Sequence, residues 1–137
     1  MDAKEFLKQA KRWETQIECK EIEKQRWRDL AQRITAHMEG ERVQSSGTST
    51  KLEDAVTACV DIEEEIVAAV EKLIVKKKEV TQTIERVQNP TWYKVLHMIY
   101  IQYKDLNDVA DAFNKSYDWA KSAHSKALNI VQRIIEE

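Results

Sequence analysis

Between Asp2 and Met38 the chain repeats an apolar seam at Phe6, Ala10, Trp13, Ile17, Trp27, Ala31, Ile34 and Met38, with Lys20 and Lys24 as its two polar members. The steps alternate four and three residues, the period of a helix whose narrow apolar face packs on another helix. Asp2 is a suitable N-cap, and Glu5 three residues on is a capping-box partner. A second stretch, Lys51 to Gln88, has the same period at Leu52, Val56, Cys59, Glu63, Ile66, Val70, Leu73, Lys77, Val80, Ile84 and Val87. Ala55, Ile62, Ala69 and Ile74 widen that stripe. Asn89-Pro90 ends it, because a residue before proline is pushed out of the helical region.

Between the two stretches lies EGERVQSSGTST, residues 39–50, which holds both glycines of the chain and reads as a flexible connection. Helices of nearly equal length joined in this way fold back on each other, each about 55 Å long at about 1.5 Å per residue. Centring the fold on that connection sets Cys59 level with Leu30 and Cys19 level with Val70, too far apart for a disulfide. A two-helix hairpin has a thin core. Residues 1–89 are therefore expected to form a homo-oligomer with a second copy, giving four helices, or to pack on the C-terminal helices of the same chain.

The C-terminal stretch differs in character. Trp92, Tyr93, Tyr100, Tyr103, Phe113, Tyr117 and Trp119 gather within residues 90–137. Three helices are predicted. The first opens at Pro90, well placed at N1, and runs to Tyr103 with Trp92, Val95, Leu96, Ile99 and Tyr103 inward. The second starts after Asp105 as N-cap, with Asp108 at N3, and turns Leu106, Val109, Ala110 and Phe113 inward. The third starts after Ser116 as N-cap. Its inward row is Ala120, Ala123, Ala127, Leu128 and Val131, extended by Ile134 and Ile135. A short helix, a turn at Asn114-Lys115 and a longer helix make a helix-turn-helix pattern. The pattern serves either DNA binding or plain three-helix packing.

Composition narrows the choices. Two glycines and one proline leave room for long helices. Net charge is -2, so any DNA contact must be local. Cys19 and Cys59 have no CxxC spacing and read as inert helix thiols of a reducing compartment. No apolar run approaches the roughly 18 residues of a membrane span, and the N-terminus lacks the apolar core of a signal peptide. There is no Gly-rich phosphate loop, HExxH, Cys/His cluster or G-x-S-x-G. No enzyme activity, catalytic residue, metal or cofactor is expected. Glu63-Glu64-Glu65 and Lys76-Lys77-Lys78 read as solvated faces.

The stretch Val109 to Leu128, VADAFNKSYDWAKSAHSKAL, resembles the helix-turn-helix of sigma-factor region four at Val109, Ala110, Phe113, Ser116, Ala127 and Leu128. Asn114 stands for the turn glycine, which asparagine can replace because it enters the left-handed region readily; Ala120 stands for a larger Ile or Val. Over its full length the chain also resembles small phage proteins of Gram-positive bacteria grouped with RinA- and ArpU-type late-gene regulators. Met1 to Arg12, the RVQSSG run at Arg42 to Gly47, Asn89-Pro90 and the run from Ser116 carry that resemblance. It implies an all-α chain of two domains, a helical hairpin at 1–89 and a sigma-like helix-turn-helix at 90–137. It further implies a cytoplasmic transcriptional regulator of the bacterial host cell that binds promoter DNA, alone or with host RNA polymerase.

If the third helix enters a major groove, its exposed N-terminal residues Tyr117, Asp118, Lys121 and Ser122 face bases. Asp118 can accept from cytosine N4, and Lys121 can meet a guanine edge or a phosphate. Ser116 and the helix amides can hold a phosphate, and Lys115 and Lys126 become backbone contacts. Each also has a plainer reading: Lys121 and Lys126 as solvated residues, Asp118 as a charge complementing the helix dipole, Trp119 as core. Residues 90–137 carry six basic and six acidic residues, a net of zero. The alternative function is a structural or adaptor protein that uses the hairpin and the C-terminal helices for protein contacts.

Overall fold

The structure, a computed structural model, describes residues 1–40 and 46–137, with side chains described outside 38–49. Six α-helices succeed one another: α1 Ala3–Leu7, α2 Gln9–Gly40, α3 Ser46–Glu85, α4 Pro90–Leu96, α5 Leu106–Phe113 and α6 Tyr117–Glu136. A π-helical turn, His97–Ile101, extends α4, and no strand occurs among the described residues. The fold is all-α, a long hairpin and a C-terminal helical unit, as the periodicity predicts.

The caps account for most boundaries. Asp2 accepts from the Glu5 N–H at 2.8 Å and opens α1. Asn89 accepts from the N–H groups of Thr91 and Trp92, with Pro90 at N1. The Asp108 N–H donates to the Asp105 carboxylate at 2.9 Å and the Asp105 N–H to the Asp108 carboxylate at 3.2 Å, a complete capping box for α5. Ser116 accepts from the Trp119 N–H at 3.1 Å and opens α6.

Chain segments distribute into two compact units, Trp13–Leu73 in one, Met1–Arg12 with Ile74–Glu137 in the other. In the first, α2 and α3 run antiparallel. Lys20 bonds Glu65 at 2.8 Å, Lys24 bonds Glu63, and the Cys59 thiol donates to the Lys24 carbonyl at 3.7 Å. Cys59 therefore lies level with Lys24 rather than Leu30, nearly two turns from the expected register. The cause is the connection. α2 reaches Gly40 and α3 starts at Ser46, so the break is shorter than 39–50 and differently centred. Extending an existing helix is favourable residue by residue, and this outweighs the weak propensities of Gly47 and the Ser/Thr run. Residues 41–45, and with them most of the RVQSSG run, lie outside the described residues, as does the seam position of Met38.

The buried face of α3 also differs from the expected one. Ile66 and the widening residues Ala55, Ile62 and Ala69 are buried as expected, whereas Val56, Glu63, Val70 and Lys77 of the seam, and Ile74 beside it, are exposed. At Ala55, Ile62 and Ala69 the buried row stands one position before Val56, Glu63 and Val70, while Ile66, Val80, Ile84 and Val87 keep their expected places. The shift takes Glu63 and Lys77 off the seam and lets small alanines bring the helices together. It leaves Val56, Val60, Val67 and Val70 facing outward, between 38 and 53% exposed. On α2, Lys20 and Lys24 lay half-buried stems along the seam and hold their ammonium groups out to Glu65 and Glu63. The Glu65 bond raises the Lys20 pKa. Trp27, a seam residue, is 39% exposed, and Cys19 is exposed.

The second unit has two joined cores. Ala3 and Leu7 of α1, Val80 and Ile84 of α3, and Val87 just beyond it bury against Leu96, Tyr100, Ala127 and Val131. Val95, Met98, Val109, Ala110, Ala120 and Ala123 form the other. The boundary expected at residue 90 thus falls inside a compact unit, because the last turns of α3 and the N-terminal helix supply apolar surface that three short helices lack. α4 does not run as an α-helix to Tyr103. It widens into the π turn, the Lys104 N–H reaches back to the Met98 carbonyl at 2.8 Å, and Tyr103 closes the turn at φ 58. Met98 and Tyr100 are the buried residues of that turn.

Candidate nucleic-acid interface

The turn between α5 and α6 is built from local chemistry. Asn114 takes the left-handed conformation, φ 53 and ψ 45, that ends α5. Its N–H and that of Lys115 return to the Asp111 and Ala110 carbonyls at 3.2 and 2.9 Å, satisfying the last turn. Ser116 then restarts the helix. Across the turn, Ala120 and Ala123 are buried against Val109 and Ala110, and the absence of larger side chains sets the close crossing. Phe113 and Trp119 close it, ring centroids 5.2 Å apart. Trp119 is therefore a packing residue.

All seven residues singled out in the sequence, Lys115, Ser116, Tyr117, Asp118, Lys121, Ser122 and Lys126, are exposed. Asp118, Ser122 and Lys126 stand at i, i+4 and i+8, and Tyr117 and Lys121 stand one position round, so the helix period gathers them on one side. The Ser116 hydroxyl oxygen is engaged as the cap. Lys94 lies over the Phe113 ring at 5.1 Å on the far end of the turn.

His124, three residues beyond Lys121, is half-buried and 2.7 Å from the Tyr100 hydroxyl through Nε2. Burial lowers its pKa, and the positive charges of Lys4 and Lys8 lower it further. A neutral imidazole accepts, so the Tyr100 hydroxyl donates. Burial, with the Asp2 carboxylate, raises the Tyr100 pKa, so the phenol stays protonated as that bond requires. His97 pairs with Gln102 instead, at 2.9 Å.

The neighbours of α6 were not legible in the sequence. Lys8, Lys11 and Lys104 line a cleft with Tyr100 and Tyr103. Lys104 also lines a second cleft of about 330 Å³ with Asp105, Tyr117 and His124. Periodicity assigns Met1 to Arg12 to the hairpin, and nothing local in that stretch signals a C-terminal partner. Among the described residues no group of His, Cys, Asp or Glu has the geometry of a metal site, and no helix is long and apolar enough to cross a membrane.

Comparison with known proteins gives one relationship. No curated protein and no solved structure matches the chain. A family model described as "Protein of unknown function (DUF1492)" matches residues 33–129, which span the end of α2, all of α3 to α5 and the first part of α6. With well over half of its length matched, the chain belongs to the DUF1492 family.

Proposed function

We propose that the chain is a phage-type transcriptional regulator that binds promoter DNA through α5, the Asn114 turn and α6, alone or with RNA polymerase. The observation that carries this reading is the exposed N-terminal half of α6. Tyr117, Asp118, Lys121 and Ser122 project from a helix held by two caps and a closely packed partner, which suits reading base edges in a major groove. Lys115 and Lys126 contact phosphates. The hairpin joins two copies, giving the paired reading heads that half-sites demand.

Binding of the purified protein to fragments of the genome that encodes it, at two salt concentrations, tests the reading. Specific, salt-sensitive binding that Lys121→Glu abolishes is the expected result. Absence of binding at low salt refutes DNA binding by the chain alone and points to a protein partner, RNA polymerase first.

A second reading draws on α3. Val56, Val60, Val67 and Val70 face outward, and such a row on a long helix suits a protein partner. An adaptor of this kind needs no DNA, and a Val60→Glu, Val67→Glu variant would lose assembly while any DNA binding by α6 in the monomer persists.

A further inference from the structure

Residues 90–137 by themselves are neutral, yet the compact unit containing them is not. With Met1–Arg12 and residues 74–89 it holds fourteen basic and ten acidic residues, a net of +4. Trp13–Leu73 holds eight basic and fourteen acidic, a net of -6. Folding has sorted the charge of a nearly neutral chain.

Part of the excess is gathered beside α6. The Lys8 N–H bonds the Lys4 carbonyl and the Arg12 N–H bonds the Lys8 carbonyl, both at 3.1 Å, so helical bonding continues through the junction of α1 and α2. Lys4, Lys8 and Lys11, spaced four and three, then stand on one face. Two anchors seat that face: Leu7 is buried in the core, and the Ala3 N–H donates to Gln132 Oε1 of α6 at 2.7 Å. Lys104, at the end of the π turn, completes the row, sharing one cleft with Lys8 and Lys11 and the next with Tyr117 and His124. His124 lies three residues past Lys121 and seven past Tyr117, so it marks the side of α6 that carries them. The effect of Lys4 and Lys8 on the His124 pKa agrees with that placement.

The four ammonium groups are available. All four lysines are exposed and, among the described residues, none takes part in an ion pair; Lys11 rests over the Tyr103 ring at 4.8 Å. Asp2 and Asp105 border the row, and each carboxylate accepts a backbone N–H as a helix cap.

We infer that Lys4, Lys8, Lys11 and Lys104 form a strip that binds the phosphate backbone of duplex DNA alongside the exposed face of α6. The inference rests on the DNA-binding reading above and adds the net positive charge that residues 90–137 by themselves do not carry. Phosphate contacts dominate affinity and carry no sequence information, so the strip fixes position while α6 reads bases.

The test uses the full chain and a 30-base-pair duplex of unrelated sequence, with genome fragments alongside. A Lys4→Gln, Lys8→Gln, Lys11→Gln variant, checked for helicity, should bind the unrelated duplex at least about tenfold more weakly at low salt. The slope of log affinity against log salt should fall by about 2 to 3, since each lost phosphate contact removes about 0.9. Preference for the target fragment over the unrelated duplex should survive. The corresponding arginine variant should keep the wild-type slope. An unchanged slope in the glutamine variant overturns the strip; if Lys121→Glu still abolishes target preference, the regulator reading stands without it. An arginine variant as weak as the glutamine one also overturns the strip, since charge is then irrelevant. Wild-type protein that binds no duplex at low salt overturns the strip and, with it, DNA binding by the chain alone.

Discussion

Leu7→Ala separates two accounts of the N-terminus. In the heptad reading Leu7 lies off the seam, and truncating an exposed side chain there changes stability by about 0.5 kcal/mol or less. In the structure Leu7 is 1% exposed, in one core with Val80, Ile84, Leu96, Tyr100 and Val131. Removing its three terminal carbons forfeits about 2–3 kcal/mol of transfer free energy. The neighbours belong to four different elements and cannot all close the gap, so a cavity term adds to this and the total reaches about 3–5 kcal/mol. Urea unfolding monitored by tryptophan fluorescence measures it, with Ile22→Ala as the exposed control, since Ile22 is 57% exposed. The midpoint should drop markedly for Leu7→Ala with an unchanged slope and hardly move for Ile22→Ala. Equal, small shifts in the two variants would refute the seating of α1 in the C-terminal core and remove the anchor for the lysine row.

Particular residues carry three further expected outcomes. Asn114→Ala should cost about 1–2 kcal/mol because alanine resists the left-handed conformation there, whereas Asn114→Gly should be neutral or mildly stabilising; thermal denaturation of both variants distinguishes them. On α3, Ile62→Ala should cost about 2–4 kcal/mol and Val56→Ala about 0.5 kcal/mol or less, and a reversed order in denaturant midpoints would restore the row through Val56 read from periodicity. His124 has a lowered pKa in the folded chain, so between that value and the ordinary one near 6.5 the unfolded state binds the extra proton. Its contribution to stability is complete above about 6.5 and is lost as pH falls through the folded value. The denaturant midpoint should therefore be lower at about pH 5.5 than at about pH 7.5, and His124→Gln should flatten that difference.

The alternating four-and-three steps through α2 and α3, the scarcity of Gly and Pro, and the polar residues at Asp2, Asn89, Asp105 and Ser116 determined the all-helical fold and most helix starts. These are local effects: a cap needs its own N–H groups, and a helix period needs only its own side chains. The exposed residues of α6 were legible for the same reason, since the inward row of Ala120, Ala123 and Ala127 leaves the other side to Tyr117, Asp118, Lys121 and Ser122. Three features waited on tertiary structure. Which of two adjacent apolar rows on α3 turns inward depended on the close approach that Ala55 and Ala69 permit, and therefore on the partner helix. The π turn that buries Tyr100 against His124 has no local sequence signal. The seating of α1 beside α6, which brings Lys4, Lys8 and Lys11 to the candidate interface, depends on burying Ala3 and Leu7 against residues about 75 to 130 positions away, a distance over which no period in the sequence can report.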